Sequence, residues 1–411
     1  MATAHEVRVR PHRAKAVASG RRRRAAGGGV RPPGQPADEQ RRAQPEGPPT
    51  SAADRPLRVA LVGDGNSPHL LKWARALSAR VELWAASSRG FDAGFDACVS
   101  AERRLALNTR PRFEGGNAAL LRQLPGFARW LKRVQPDWIH AHYLSSHGTL
   151  AWLATRLLGA PGRLAGSAWG SDVLVTPERS RAQRWLLARV LRACELSTSD
   201  SQHMAARMRA FGAGEVMVFP FGLEAMPSLP AAKDDALCFA NRGLEAIYAP
   251  LRVIDVFARI ADHWPQAQLI VANDGSMLGA MRKRAAQLGL QDQVAFTGRL
   301  DAATQADWYA RARWYFSLPA SDSVSVSVIE AMAHGCIPLL SDLPANRELV
   351  RSADNGLILA EDGWPDPAAL DAMRARADEI AAANRDWVAA HALFGPCVAR
   401  FVARLHALQR A

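Results

Sequence analysis

Several features that define large classes of protein are missing from this chain of 411 residues. No uninterrupted apolar run approaches the roughly 20 residues that a membrane-spanning helix needs, so a transmembrane protein is not expected. The N-terminal arginines are not followed by an apolar segment, which argues against a secretory signal peptide. The five cysteines are dispersed and lack the spacing of metal ligands, so we predict free thiols in a reducing, cytoplasmic compartment.

Large apolar side chains are scarce in residues 1–55, where Arg, Pro, Gly and Ala dominate. Such a segment buries too little surface to offset the entropy of ordering, so we predict a disordered basic tail. The run Arg21–Arg24 is suited to anionic lipid or nucleic acid, although a solvated tail or an upstream start codon is the simpler explanation. The net charge is +7 in residues 1–55, +9 in residues 56–225 and −3 in residues 226–411. The +9 segment belongs to a folded domain and there suggests an anionic partner.

From Leu57 onward, short apolar runs alternate with amphipathic stretches of helical periodicity. This alternation predicts an α/β fold with parallel sheets covered by helices on both faces. The pattern pauses at Gly222–Asp235, a segment with two prolines, and then starts again. We therefore predict two Rossmann-like domains with a cleft between them, divided as residues 56–222, a linker at 223–235, residues 236–384, and a C-terminal helix at 385–411 that crosses back to the first domain. Ligands of such sheets bind at the carboxyl ends of the strands.

Two carboxylates, Asp322 and Glu330, are separated by seven residues across a predicted loop-to-helix junction. The backbone N–H groups around Ser325, Val326 and Ser327 are the unsatisfied donors of that helix and suit a diphosphate. Glu330 can accept the hydroxyls of a ribose, and Asp322 those of a sugar. The spacing from Ser327 to Glu330 also fits a capping box, which needs no ligand.

A second group of candidates follows the first strand of each domain. Arg242 stands where a bidentate guanidinium meets phosphate oxygens, although an ordinary surface arginine fits the same pattern. Gly63 and Gly65 allow a close backbone approach to an acceptor or donor, with Asn66 beside them. A plain tight turn is the alternative, because the third glycine of a dinucleotide motif is absent.

Two further candidates end strands of the first domain. His140 and His142 alternate along one strand and share a face, but no third metal ligand is evident. We predict His140 in the core and His142 in contact with a ligand. Asp172, in the turn that begins at Trp169, is predicted to bind a ligand hydroxyl or to assist its deprotonation.

The segment from Asp322 to Glu330, followed by Ala-Met-Ala-His-Gly, resembles the E-x7-E motif of the retaining glycosyltransferases of family 4 (glycosyltransferase group 1). Further segments resemble motifs of that family in the same order. They are Pro136-Asp-Trp-Ile-His-Ala-His142, Trp169-Gly-Ser-Asp172, Phe219-Pro-Phe-Gly222, Ala272-Asn-Asp-Gly275 and Phe296-Thr-Gly298. The similarity extends over residues 57–380, and the motifs are specific only in combination.

The resemblance implies the GT-B architecture, in which two Rossmann-like domains face a central cleft. It also implies a metal-independent enzyme without a cofactor, using a UDP- or GDP-sugar. Asp322, Glu330, Arg242 and Asp172 are then the candidate catalytic residues. Gly63, Gly65, Asn66 and His142 are the candidate acceptor-binding residues. The candidate donor-binding residues are Ser325, Val326, Ser327, Arg299, Asn273, Gly275 and Gly298.

The chain departs from the family pattern in two places. Asp322 replaces the first glutamate, which shortens its reach by one methylene. The family usually has a lysine shortly after the arginine at Arg242, and here Ile247 or Tyr248 occupies that position. Such a lysine would neutralise the leaving diphosphate, so we consider Arg299 and the helix N-terminus as substitutes.

We therefore expect a hexosyltransferase that moves a sugar onto a saccharide or lipid-linked saccharide in cell-surface glycan or glycolipid synthesis. An anionic membrane surface is a further expected partner, with the protein peripheral on the inner face of the membrane. The alternatives are a nucleotide-sugar 2-epimerase, which needs no acceptor, and a homologue that binds nucleotide sugar without catalysis. A nucleic-acid partner is not expected, because interleaved aromatic stacking motifs are missing.

Overall fold

The computed structural model describes residues 55–109, 118–228 and 232–411, all within one compact unit. The structure describes two predicted segments only in part. Residues 1–54 of the predicted tail and residues 229–231 of the predicted linker lie outside the described residues. Among the described residues, no helix is both long enough and apolar enough to cross a membrane.

The first domain is built on a sheet of seven parallel strands in the order β3-β2-β1-β4-β5-β6-β7. Its strands are β1 (Arg58–Gly63), β2 (Glu82–Ser87), β3 (Arg104–Ala106), β4 (Trp138–His142), β5 (Arg163–Ser167), β6 (Cys194–Ser199) and β7 (Glu215–Val218). The central strands are buried, which explains their nearly continuous apolar sequence.

Helices cover both faces of this sheet. They are α1 (Pro68–Ser78), α2 (Ala118–Leu121), α3 (Leu124–Val134), α4 (Thr149–Leu158), α5 (Ser171–Leu174), α6 (Thr176–Arg179), α7 (Arg181–Ala193) and α8 (Gln202–Ala210). Between β4 and α4 the chain makes a π-helical turn, Tyr143–Gly148. Tyr143 opens it with a φ of 59°, an uncommon conformation for a residue with a side chain.

The second domain has six parallel strands in the order β10-β9-β8-β11-β12-β13. They are β8 (Asp234–Ala240), β9 (Gln268–Ala272), β10 (Val294–Gly298), β11 (Ala312–Ser317), β12 (Ile337–Ser341) and β13 (Leu357–Leu359). Its helices are α9 (Pro250–His263), α10 (Leu278–Gln287), α11 (Ala302–Arg311), α12 (Val326–Ala333), α13 (Pro344–Leu349), α14 (Pro367–Ala375) and α15 (Ala377–His391).

The last helix, α16 (Phe394–Arg410), packs against the first domain. Phe394 and Phe401 pack edge-on against Trp73 of α1, with ring centroids 5.1 and 5.4 Å apart. The predicted single helix over 385–410 is in fact two helices, α15 and α16, separated at Ala392 and Leu393. The break lies where Leu223 and Leu393 form a β-bridge, which redirects the chain onto the first domain.

The predicted fold class is confirmed, with two parallel α/β units and the expected alternation of strands and helices. The short edge strands β3 and β13 were not predicted. Each has only three residues, too few for a periodic pattern to be recognised.

Candidate active site

The carboxyl ends of both sheets face one interdomain cleft, which contains a cavity of about 800 Å³. First-domain residues from the ends of β4 and β5 form one wall, and the segments after β8 and β11 form the other. The lining includes Tyr143, Trp169, Gly170, Ser171, Leu174, Val175, Thr176, Arg179, Glu245, Ala246, Ile247, Tyr248, Ser321 and Asp322. The cavity combines aromatic and aliphatic walls with a few polar groups, as small-molecule sites do.

Arg242 and Asp322 form an ion pair at the edge of this cavity. An Nη atom of Arg242 donates to Oδ2 of Asp322 at 2.6 Å, and its other Nη donates to the Ser325 hydroxyl. The guanidinium also lies 4.6 Å from the ring centroid of Tyr248. Three of the predicted site residues are thus brought into direct contact.

Glu330 lies one turn into α12 and does not form the capping box that its spacing allowed. The helix begins at Val326 with Ser325 as its N-cap residue, so Ser327 is already inside the helix. Instead, an Oε atom of Glu330 accepts the Tyr309 hydroxyl at 3.1 Å. The Glu330 side chain therefore does not cap the start of its own helix.

Tyr309 is itself held by a buried network. Asn241 donates its side-chain N–H to the Tyr309 hydroxyl at 2.7 Å and accepts the Tyr315 hydroxyl at 2.7 Å. This chain of hydrogen bonds runs from Tyr315 in β11 through Asn241, just after β8, to Tyr309 in α11 and Glu330 in α12. Because every member is bonded, the network holds the Glu330 side chain in one orientation.

Both carboxylates are less acidic than usual. Burial raises the pKa of Glu330, and the Tyr309 hydroxyl and the Lys72 ammonium partly oppose that shift. Burial also raises the pKa of Asp322, against the opposing charge of Arg242. Both remain suited to accept hydrogen bonds from sugar hydroxyls, because a ligand that donates to them favours their charged form.

The N-terminus of α12 offers donors next to these carboxylates. Val326 and Ser327 are half-buried, and their backbone N–H groups donate to no acceptor within the described parts of the chain. Ser325 is buried against Arg242. A helix start of this kind, beside a guanidinium, suits an anionic group.

The predicted donor-binding loops lie at the ends of β9 and β10. Asn273 has a φ of 84° and donates its backbone N–H to the Gly298 carbonyl at 2.7 Å. Gly275 is required for packing, because a Cβ there would lie 2.4 Å from the Leu244 carbonyl oxygen. Gly298 has a φ of 73°, and Arg299 is exposed just beyond it.

The glycine turn after β1 has a packing role that the sequence did not predict. A Cβ at Gly63 would lie 2.6 Å from a methyl group of Leu70, and one at Gly65 would lie 2.6 Å from the Gly90 carbonyl oxygen. The two glycines therefore bring α1 and the segment after β2 close together, and their contact with a ligand stays a prediction. Asn66 is exposed and remains available to an acceptor.

Asp172 is placed differently from the prediction. It is buried, and its two carboxylate oxygens accept the backbone N–H groups of Trp169 at 2.9 Å and Leu144 at 2.8 Å. Burial raises its pKa to about 6. Both oxygens accept backbone N–H groups and Asp172 does not line the cavity, so in this structure it positions the two cavity-lining segments and not a ligand.

His142 is also buried away from the cavity, contrary to the prediction. Its Nδ1 accepts the indole N–H of Trp169 at 3.0 Å, and burial lowers its pKa well below the ordinary value. His140 lies in the core, as predicted. No cluster of three or more potential metal-ligating side chains occurs in the described residues.

Two residues of α1, on the first-domain side of the cleft, were not predicted as site residues from the sequence. His69 lies beside Trp169, with ring centroids 4.8 Å apart, and burial and the charges of Lys72 and Arg242 lower its pKa to about 4. Lys72 donates to the carbonyls of Phe221 and Gly222 at 2.6 Å, and burial lowers its pKa to about 8. Only the amphipathic pattern of α1 was visible in the sequence, and that pattern does not show which polar residue faces the other domain.

Two α/β domains around one cleft define the GT-B class, and solved structures of that class match most of the chain. Sucrose-phosphate synthase from Thermosynechococcus elongatus matches with a TM-score of 0.67 and 17% identity, covering 86% of this chain and 100% of that one. The Anabaena protein HepE in complex with UDP and glucose matches with a TM-score of 0.65 and 15% identity, covering 84% and 100%.

The sequence matches two family models. Residues 58–201 match "Glycosyl transferase 4-like", and residues 224–383 match "Glycosyl transferases group 1". The chain thus has the GT-B fold, and each of its domains carries the sequence features of a glycosyltransferase family.

Curated relatives are similar over shorter stretches. A GDP-mannose:cellobiosyl-diphosphopolyprenol alpha-mannosyltransferase of Xanthomonas campestris is 30% identical over 139 residues, 33% of this chain and 35% of that protein. Alpha-monoglucosyldiacylglycerol synthase of Streptococcus pneumoniae is 30% identical over 83 residues, 20% of this chain and 19% of that protein. The matched regions span about a third or less of these relatives.

Proposed function

We propose that this chain is a retaining glycosyltransferase that moves a hexose from a nucleotide-diphosphate sugar to an acceptor hydroxyl. The observation that carries the proposal is the arrangement at the start of α12. There the Arg242–Asp322 ion pair, the free N–H groups of Val326 and Ser327, and Glu330 lie together at the interdomain cleft.

Each of these groups has a role in the proposal. The diphosphate binds at the N–H groups of α12 and the Arg242 guanidinium, which are complementary to its charge. Glu330 accepts hydroxyls of the ribose, and Asp322 accepts hydroxyls of the transferred sugar. Asn273, Gly298 and Arg299 flank the nucleotide in this proposal, and no metal ion takes part.

Transfer proceeds on one face of the sugar. The bond between the anomeric carbon and the diphosphate oxygen breaks, the acceptor oxygen bonds to that carbon from the same side, and the acceptor proton passes to the departing phosphate oxygen. Arg242 and the α12 dipole stabilise the negative charge that develops on the diphosphate. Lys72 adds positive charge at this cleft, where the expected lysine after Arg242 is missing.

The acceptor in this proposal is a saccharide or lipid-linked saccharide at the inner face of a membrane. The names of two relatives support it, because one contains a diphosphopolyprenol and the other a diacylglycerol. The donor is a UDP- or GDP-sugar, since the name of the Xanthomonas relative contains GDP-mannose and HepE was solved with UDP. The pathway is cell-surface glycan or glycolipid synthesis.

The test is a product analysis with a panel of nucleotide sugars, first ranked by thermal shift. With a lipid-linked saccharide acceptor, NMR should show a new glycoside with the anomeric configuration of the donor. Asp322→Asn should lose most of the transfer, whereas Asp386→Asn, an exposed change on α15, should not. An inverted product contradicts the mechanism. Isomerisation of the donor in the absence of an acceptor would contradict a transferase activity, and so would donor binding without turnover.

A further inference from the structure

Three neighbouring outer helices of the first domain, α3, α4 and α7, carry only positively charged residues among their ionisable side chains. They contain eight arginines and lysines, all exposed, and not one Asp or Glu. The cations are Arg129, Lys132, Arg133, Arg156, Arg181, Arg184, Arg189 and Arg192. A solvated helix face normally mixes both signs, so this imbalance needs an explanation.

Exposed apolar side chains concentrate on the same face. Trp185 of α7 is 55% exposed, Leu157 of α4 is 65% exposed, and Leu158 beside it is 37% exposed. Trp185 packs edge-on against Trp152 of α4, with centroids 6.4 Å apart, and Arg189 lies 5.2 Å from its ring centroid. A tryptophan held in place at the surface among arginines is typical of a polar–apolar boundary.

The second domain gives an internal comparison. Its outer helix α9 carries Arg252 and Arg259 together with Asp255 and Asp262, so both signs alternate there. Helices α1, α8, α10 and α16 also lack acids but carry only two or three cations each, so what distinguishes α3, α4 and α7 is that they adjoin one another and together bring eight cations to one region. Of these three helices' cations, Arg184 has a carboxylate partner, Glu178 of α6, at 2.7 Å.

We propose that the α3–α4–α7 face docks on an anionic lipid bilayer. Arginines attract acidic headgroups, while Trp185, Leu157 and Leu158 enter the boundary between headgroups and acyl chains. An anionic nucleic acid offers charge but no apolar layer for the exposed leucines, so the bilayer is the better match. This inference deepens the proposed function, because it rests on a lipid-linked acceptor.

The position of the face agrees with delivery of such an acceptor. Helix α7 begins directly after Thr176 and Arg179, which line the interdomain cavity. As a crossover between parallel strands, α7 starts at the carboxyl edge of the sheet, the edge that faces the cleft. A bilayer against α7 therefore lies next to the acceptor side of the cavity.

The test is co-sedimentation of the full chain with vesicles of phosphatidylcholine alone or mixed with phosphatidylglycerol. We expect binding only to the mixed vesicles, weakening as salt increases. The triple change Arg156→Glu, Arg181→Glu and Arg189→Glu should reduce the affinity about tenfold or more. The double change Leu157→Ser and Trp185→Ser should reduce it while leaving the charge unaltered.

The matched control is the triple change Arg282→Glu, Lys283→Glu and Arg351→Glu, which alters the charge equally on exposed residues of the second domain. It retains the same N-terminal tail and should retain vesicle binding. Three results would overturn the inference. They are an equal loss of vesicle binding in both triple variants, absence of vesicle binding by the wild type, and binding of the wild type to single-stranded RNA in preference to vesicles. Donor binding by the first triple variant is measured separately, so failure of the docking surface is distinguishable from failure of the proposed transferase.

Discussion

Among the residues that the structure describes, one side chain of the second domain donates a hydrogen bond to the Glu330 carboxylate. That donor is the Tyr309 hydroxyl. The same hydroxyl is bonded to Asn241, which in turn accepts Tyr315. The orientation of Glu330 thus depends on residues of β11, α11 and the end of β8. Tyr309 is a positioning residue in this account, since it acts on the ligand through Glu330.

Replacing Tyr309 by Phe should therefore weaken donor use without unfolding the protein. A hydrogen bond to a charged carboxylate contributes roughly 1.5 kcal/mol or more, so we expect the KM for the donor to rise about tenfold, with a smaller change in kcat. The bond favours the charged form of Glu330, so its loss should raise the Glu330 pKa further. The acidic limb of the kcat/KM profile should then move to higher pH.

Tyr315→Phe is the matched control, because its hydroxyl contacts Asn241 and lies one bond further from Glu330. It should shift the acidic limb less than Tyr309→Phe. Equal kinetic effects with an unmoved pH profile would indicate that Tyr309 has only a packing role.

At the scale of elements, the sequence predicted the helices and strands that carry the site but not their contacts. The order of apolar runs indicated β8, β11 and α12, and with them the neighbourhood of Arg242, Asp322 and Glu330. It did not show that Asp172 turns inward to bind backbone amides, since a buried and an exposed aspartate after a strand have the same local sequence. Nor did the sequence indicate Tyr309 as a site residue, because its contact with Glu330 joins two helices through tertiary packing.

Gly222, where the link between the domains meets the break before α16, allows a test of stability that is independent of activity. A Cβ at Gly222 would lie 2.0 Å from the Ala392 carbonyl oxygen, at the crossing between the domain link and the break before α16. We expect Gly222→Ala to lower the free energy of unfolding by about 2 kcal/mol or more, as overpacked backbone does. Chemical denaturation measures the loss.

Gly279→Ala in α10 is its control, because no atom lies within 4 Å of the added methyl group. Alanine favours helix over glycine by roughly 0.5–1 kcal/mol, so this variant should be slightly more stable than the wild type. A Gly222→Ala variant as stable as the wild type would show that the crossing relaxes easily.

On the scale of the whole molecule, a buried and an exposed group of polar contacts join the two domains beside the site. Asp200 at the end of β6 accepts the Ser323 hydroxyl, which also contacts the Ser201 hydroxyl at 2.9 Å. Glu348 of the second domain accepts the N–H groups of Gln202 and His203, at 2.7 and 2.8 Å, at the start of α8. The first domain and the Asp322 loop are therefore linked through Ser323.

Asp200 should make the stability of the folded protein depend on pH. Burial, together with the charge of Asp322, raises its pKa to about 7, above the ordinary value of 3.8. The folded protein then binds more protons than the unfolded chain between these two values, so the contribution of Asp200 to stability is lost as the pH rises through about 7. The melting temperature of Asp200→Asn, relative to wild type, should rise between pH 5 and pH 8.

Asp386→Asn on α15 supplies the control for this comparison, since Asp386 is exposed. Its melting temperature should follow that of the wild type across the same pH range. A constant difference between Asp200→Asn and the wild type would show that Asp200 does not titrate in this window.

The most direct measurement of the central claim is calorimetric binding of the nucleotide sugar that gives the largest thermal shift, with wild type and Glu330→Gln. Loss of a charge-assisted pair of hydrogen bonds to the ribose should weaken binding about tenfold or more. Glu379→Gln, an exposed change on α15, should bind as the wild type does. Equal affinity for wild type and Glu330→Gln would contradict a donor site at the start of α12.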